Sequence, residues 1–542
     1  MILAGIIIWL AGAGLLAWFF SSRGDGWPRW ITLIALILQI AFLAGLWIGY
    51  AGRSDFTTPG RWLAELDLPW IPALGIRLHM AMDGISLLFV LLTDFLGVVA
   101  VAASWRGVRN RLGFFHFNLM WILAAIAGVF LALDLFLFYF FWELMLVPLY
   151  FIIGIWGHEN RIYATLKFFI FTQASSLLML AAILGLYFIH GRSTGVYTFD
   201  YSGLLGTPMT SVTEMLLMLG FFIAFAVKLP VIAVHTWLPD AHTEAPTAGS
   251  VILAGLVLKV GAYGMIRFLV PLFPRATASF SLIAMGLGVA GIIYAAVLAF
   301  SQTDLKRMVA YTSISHMGFV LLGIFAWNQL ALEGAIVIIL AHGISTGALF
   351  VLVGDIQDRT HTRELDKMGG LWSTMPRMGG AGMLFALASL GLPGLGNFVG
   401  EFLVLLGAYQ VNVPLTVLAS LGFIVSTIYA LWLVQKTFLG ENSRGWKLPD
   451  YNLRESGIMA AMIAAIVVLG IYPQPVLTTA KAAVEALRAY APRYHAVLKG
   501  DVGSRESASP GQAGGGAQAL AAQAGSRDRL PEENRSTASG GS

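Results

Sequence analysis

The chain has 542 residues, of which 58% are hydrophobic and 11% charged, whereas soluble domains run to about 45–50% apolar and about 25% charged. Its 33 lysines and arginines and 29 aspartates and glutamates cannot clothe a water-soluble body of this size, and a mean hydropathy of +0.78 marks lipid as the solvent. With no cysteine, disulfides, cysteine-ligated zinc and cysteine-bound iron–sulfur clusters are excluded. The net charge of +4 is not gathered into a basic face, so nucleic acid is not expected as a partner.

In chain order, apolar runs of the about 20 residues needed to cross the hydrocarbon core fall near 2–20, 30–50, 84–104, 113–132, 135–155, 164–190, 213–237, 249–270, 278–300, 308–326, 332–353, 379–409, 414–439 and 457–475. The predicted fold is therefore an all-α polytopic membrane protein of about fourteen transmembrane helices. The runs are continuous rather than alternating, which excludes a β-barrel. The first run lacks a basic flank and a small-residue cleavage site, so it is expected to remain as span one. A more polar, amphipathic helix is expected near 477–499. From Asp501 the chain is Gly, Ala, Ser and Gln with scattered charge and is expected to be disordered.

Two spans carry internal breaks. Span seven contains Lys228-Leu-Pro230 and span twelve contains Gly391-Leu-Pro-Gly-Leu-Gly396. Proline removes one backbone hydrogen bond and clashes with the preceding turn. A broken helix persists in lipid only where protein or a water-filled cavity satisfies the freed groups. The breaks lie five spans apart and run in opposite directions, the pattern of an inverted repeat. The expected organisation is spans one to three over 1–112, a first five-helix unit over 113–270, and a second over 271–440. Span fourteen and the amphipathic helix follow over 441–500, and the tail occupies 501–542.

Basic residues concentrate in the loops after odd-numbered spans, among them Arg106, Arg109, Arg111, Arg161, Lys306, Arg307, Arg359 and Arg363. By the positive-inside rule those loops face the cytoplasm and both termini lie outside.

Four ionisable residues sit deep within spans: Glu143, Lys228, Lys259 and Glu401. Each costs at least about 2.5–3.5 kcal/mol on insertion scales, and such residues mark ion or proton pathways. Pro148 frees a carbonyl beside Glu143, Lys228 lies two residues before Pro230, and Glu401 follows the glycine-rich break. A buried lysine can fall to a pKa of about 5–6 and a buried glutamate rise to about 8–9, so such groups can exchange a proton near neutrality. The plainer alternative is that Glu143 and Lys228 form one static ion pair. His235, His316 and His342 are candidates to join the relay, although a membrane histidine is often only a hydrogen-bonded packing residue. Asp134, Asp240, His242, Glu244 and Asp304 lie near span ends, where solvation is the default, and Lys167 is placed to snorkel. Pro239 interrupts the His235–His242 spacing, so no metal site is assigned. There is no Walker loop and no strand-embedded GxGxxG for a nucleotide.

The run from Val227 to Pro246, with Ser250 to Lys259 after it, resembles the signature of the antiporter-like subunits of respiratory complex I and of multisubunit cation/proton antiporters. Phe141-Trp-Glu143, the stretch from Asp304 to His316 (Thr312 stands where serine is usual), and Gly391-Leu-Pro393 with Glu401-Phe402 extend the likeness over most of residues 80–440. Within that family the chain looks most like the M-type branch. Glu401 stands where the L-type, N-type and antiporter relatives usually carry lysine, and the chain lacks the extra spans and lateral helix of the L-type.

The resemblance implies that Glu143 and Lys228 form an input pair, Lys259 a central carrier, His316 and His342 links, and Glu401 the output group. It also implies a proton-translocating subunit in a bacterial inner membrane. Its partners would be lipid and L-type and N-type neighbours, with NADH, FMN, iron–sulfur clusters and quinone handled on other subunits and no cofactor in this chain. A sodium/proton antiporter subunit and a charge-bearing scaffold are the alternatives.

Overall fold

The computed structural model describes residues 1–50, 62–442 and 444–489, with Tyr50 described by its backbone alone. The amphipathic helix occupies Gln474–Ala489; its expected continuation and the tail from Asp501 lie outside the described residues, as do Arg53 and Arg61.

All fourteen expected spans are helical. They begin with Ile2–Phe20, Gly26–Tyr50, Gly84–Ala103 and Leu112–Leu131. Span five is Leu135–Leu144 and Leu146–Trp156, offset at Met145 where Pro148 cannot donate to Leu144. Span six is Arg161–Thr194, and span seven divides into Ser211–Lys228 and Trp237–Glu244. Spans eight to eleven are Thr247–Leu272, Pro274–Phe300, Leu305–Ala326 and Gln329–Thr360. Span twelve divides into Pro376–Ser389 and Gly396–Tyr409, and Val413–Thr437 and Leu453–Ile471 complete the set.

Burial locates the centre. Spans eight, ten and eleven are wholly enclosed, whereas spans one and two bury only 33% and 28% of their apolar windows. Close backbone approach is secured by glycine. A Cβ on Gly400 would lie 2.9 Å from Gly334 O, so spans eleven and twelve meet without side chains between them. Gly391 adopts φ +81°, and a Cβ there would stand 3.0 Å from Glu401 Oε2. The break thus needs glycine both for its turn and for room beside the carboxylate.

At the first break, the Val227 carbonyl accepts a hydrogen bond from Trp237 Nε1 at 2.9 Å, so the second half-helix satisfies part of what the break frees.

The structure departs from the sequence expectation in four places. Span eight is not a uniform α-helix. Two π turns, Leu253–Val257 and Met265–Leu269, flank the α-helical Leu258–Gly264 that carries Lys259. Residues 64–82 form an antiparallel hairpin, β1 (Ala64–Ile71) and β2 (Ile76–Met82), hidden from a search for long apolar runs by its short polar alternation.

Asp134, Glu244 and His242 are buried rather than solvated. Asp134 caps span five, accepting from Phe136 N and Leu137 N at 2.9 and 3.0 Å, and helix N-termini favour such a carboxylate. Asp304, partly exposed, caps span ten in the same way, and Glu244 accepts from Asn160 N at 2.8 Å. Lys167 does not snorkel to water alone: it pairs with Asp240 at 2.7 Å, and Asp240 also pairs with Arg307 at 3.0 Å. Arg267 lies towards the end of span eight. It is buried against Asp83, the cap of span three.

The hairpin is clasped to the loop after span six. His79 bonds to Asp200 and, at 3.0 Å, to Glu65, while Arg77 pairs with Asp67 at 2.6 Å. Burial alone would lower the His79 pKa, but the hydrogen bond and charge of Asp200, with Glu65, raise it to about 9. Asp200 is held below the usual carboxylate range by His79 and Ser202, against the opposing effect of burial. Because the folded His79 pKa lies above its ordinary 6.5, the clasp stabilises fully below that value and loses its contribution as pH rises through about 9. The thermal midpoint of the native protein should therefore fall between pH 6.5 and 9.5 relative to a His79→Gln variant. Parallel curves would show that the clasp does not titrate there.

Candidate functional site

The enclosed centre holds a row of polar side chains. The first π turn sets one end of it. Leu258 N–H bonds to Leu253 O instead of the Ala254 carbonyl an α-helix would use. The Ala254 carbonyl accepts instead from the Lys259 ammonium, whose Nζ also lies 2.7 Å from His342 Nδ1 on span eleven. The His342 and His316 rings stand 5.4 Å apart, inclined at 62°. His316, on span ten, places Nδ1 2.8 Å from Glu401 Oε1 on span twelve. Its Nε2 lies 3.1 Å from Ser389 Oγ and 3.3 Å from Tyr429 OH. Lys259, His342, His316 and Glu401 are each no more than 2% exposed.

The two ends are built alike: each places a titratable head group on the Nδ1 of a histidine. A neutral His342 accepts from the Lys259 ammonium at Nδ1 and carries its proton on Nε2, which has no partner. His316 donates from Nδ1 to the Glu401 carboxylate, leaving Nε2 to accept from Ser389 and Tyr429 or, as imidazolium, to donate to Ser389. A proton moving along the row changes tautomers and charge without moving a helix, which is what a relay requires. An unmade hydrogen bond in such an apolar setting is costly, so each group's protonation is tied to its neighbour's.

The other expected members are placed differently. Lys228 ends the first half of span seven and is fully buried, with its Nζ making no hydrogen bond. It lies over the rings of Trp142 at 5.2 Å and Phe168 at 5.9 Å. Glu143 is half-buried and one of its carboxylate oxygens is also unpartnered. The two feel each other's charge, yet they do not form a contact ion pair, so the static-pair alternative is not what this conformation contains. Lys228 backs onto span eight, where a Cβ on Gly261 would lie 3.1 Å from Lys228 Cβ, two residues beyond Lys259. His235 is not brought to the row. It bonds to the Ile232 carbonyl and faces the rings of Tyr294 and Tyr311, because residues 229–236 loop away between the half-helices.

Several polar groups escaped the sequence reading. Ser389 and Tyr429 look unremarkable in apolar runs until folding lays them against His316. Two residues that the sequence placed at span ends or in loops are instead buried: His242 is stacked on Phe350 at 4.5 Å with neither ring nitrogen partnered, and Lys306 lies on the Ala245 carbonyl. Asp94 is a fifth deep ionisable residue, mid-span three, bonded to Gln39 of span two at 3.2 Å. Its signal was present, one acid in the middle of an apolar run.

Residues 132–428 match the family described as NADH:quinone oxidoreductase/Mrp antiporter, transmembrane. The chain is 51% identical over 494 residues to NADH-quinone oxidoreductase subunit M of Escherichia coli strain K12, covering 89% of this chain and 97% of that one. It is 50% identical over 498 residues to the subunit of the same name from Pseudomonas aeruginosa, covering 90% and 97%. Its fold superposes on a chain of respiratory complex I from Thermus thermophilus with a TM-score of 0.81 at 31% identity, over 92% of this chain and all of that one. A chain of the Mrp complex from Dietzia shares the fold, with a TM-score of 0.75 at 19% identity over 92% and 100%.

The Lys259–His342 contact generates a quantitative expectation. A hydrogen bond to a charged group contributes about 1.5–3 kcal/mol, so a double-mutant cycle of Lys259→Met and His342→Ala should give a coupling of about that size in thermal unfolding of the detergent-solubilised protein. Additive effects would mean that the two side chains do not interact.

Proposed function

Since the chain belongs to the NADH:quinone oxidoreductase/Mrp antiporter membrane family, in its subunit M branch, we propose that it moves protons along the row Lys259, His342, His316 and Glu401. It does so as a membrane-arm subunit of NADH-quinone oxidoreductase. The observation that carries this reading is that the row, hydrogen-bonded at both ends with the two histidine rings in contact between, runs through the most enclosed spans among the described residues. Glu143 and Lys228 load it: a change in the charge of Glu143 alters the field at an ammonium that has no hydrogen-bond acceptor, and so its tendency to release a proton toward Lys259. His235 lies beside this path as an accessory group.

In this reading the redox chemistry, with NADH, FMN, iron–sulfur clusters and quinone, belongs to other subunits, and energy arrives laterally from L-type and N-type neighbours within lipid. The two broken spans belong to inverted units over 113–270 and 271–440. The chain lies in the bacterial inner membrane with both termini outside; a reporter fused at Arg363 should read cytoplasm, and an external reading would reverse the orientation. The reading as a sodium/proton antiporter subunit has less support. Likeness to the Mrp chain is one of fold at 19% identity.

Removing either loading group leaves the other's charge uncompensated. Glu143→Gln and Lys228→Ala should each lower NADH-driven proton uptake into inverted vesicles several-fold at unchanged complex content. Normal uptake in both would exclude them from the path.

Glu401 tests the output end. Driving one charge outward costs about 2.3 kcal/mol per 100 mV, so the release group must alternate between high and low proton affinity. Glutamine cannot. Lysine can, and beside His316 Nδ1 it would repeat the contact that Lys259 makes with His342. Glu401→Gln should therefore abolish most of the uptake, while Glu401→Lys keeps a substantial part. If lysine performs no better than glutamine, the site requires a carboxylate and the relay account of span twelve fails.

A further inference from the structure

A polar cavity lies away from the proton row. It has a volume of about 690 Å³, where the ends of spans three, five and eleven meet the starts of spans four, six and eight. Its walls carry Arg109, Arg111, Arg161 and Asn110, with Asp358 as the one acidic side chain and Thr247 nearby. The excess over that single carboxylate is two positive charges.

The loop that presents the first two arginines is held by its backbone. Trp156 Nε1 donates to Asn110 O at 2.9 Å and Arg29 Nη2 to Val108 O at 3.4 Å. Arg111 adopts φ 54° as the residue before span four, whose first turn has no side-chain cap. The side chains of Arg109 and Arg111 make no hydrogen bond or ion pair among the described residues, and a Cβ on Gly107 would meet only open space. Arg161 is tethered to the Gly157 and His158 carbonyls at 3.5 and 3.4 Å. The loop thus places two exposed guanidinium groups on the wall of a polar recess.

We propose that this cavity is a binding site for a phosphate ester. Guanidinium groups present a planar fork that matches phosphate oxygens, and two net positive charges suit one phosphomonoester or a pair of phosphodiesters. The mouth lies at the level of Trp156, and below it Phe151 and Val147 stand exposed on the same helix. A phospholipid would lay its chains along that apolar strip with its headgroup in the recess, while a soluble phosphate ester would fill the recess alone. The site is independent of the proton row, since binding is read without turnover.

The test uses the intact complex, stripped of lipid in detergent and titrated with dihexanoyl phosphatidylglycerol or with glycerol 3-phosphate, bound equivalents being counted by native mass spectrometry. Each basic residue near an anionic headgroup contributes about 1 kcal/mol, so R109Q/R111Q should bind about thirtyfold more weakly, at 1.4 kcal/mol per tenfold. R109K/R111K, which keeps the charge but loses the fork, should bind more weakly than wild type and more tightly than R109Q/R111Q, and Arg192→Gln should retain all of the affinity. If the double variant does not assemble, R109Q alone should still weaken binding about fivefold. Loss of lipid binding without competition by glycerol 3-phosphate identifies a lipid headgroup, and competition by both identifies the phosphate ester whatever its source. Equal binding of both probes to wild type and variants overturns the proposal.

Discussion

The Lys259 ammonium is fully buried in the apolar centre, and its two contacts, the Ala254 carbonyl and His342 Nδ1, explain much of what surrounds it. The carbonyl is available only because the preceding turn is π rather than α. The imidazole is within reach only because spans eight and eleven are in close contact, with Gly255 and Gly343 facing each other across the interface. A buried cation is tolerated where its hydrogen bonds are made, so the deformation of span eight and the small residues at its interface follow from one electrostatic need.

The same need recurs at Glu401. Its carboxylate is held by His316, and it has room only because Gly391 lacks a side chain. Spans eleven and twelve are brought together at Gly334 and Gly400, the residue before Glu401. The breaks in spans seven and twelve therefore do two things at once: they free backbone groups that side chains such as Trp237 satisfy, and they leave space for ionisable groups inside the bilayer.

Outside the row, charged residues fasten the half-helix Trp237–Glu244. Asp240 pairs with Lys167 and Arg307, and Arg363 reaches Thr243 O at 2.5 Å. These groups sit at span ends, where an isolated charge would remain in water. Here they tie a short helix, without enough apolar length to anchor itself, to spans six and ten and to the loop after span eleven. On the opposite side of the molecule the His79–Asp200 contact holds the hairpin.

The sequence alone determined the membrane class, all fourteen spans, both breaks and the four deep charges of the proposed relay, because the cost of polar groups in lipid writes itself into composition and into runs of about 20 residues. Only the tertiary structure decided which of these charges touch. Glu143 and Lys228, a natural pair by sign, do not make contact, whereas Glu401 and His316, 85 positions apart, do. His235 was grouped with His316 and His342 by residue type, yet the loop between the half-helices turns it away. Tyr429, Ser389 and the π turns left no trace in hydropathy, since each depends on the register in which one helix lies against another. That register is set by side-chain packing between spans, a property no single span carries.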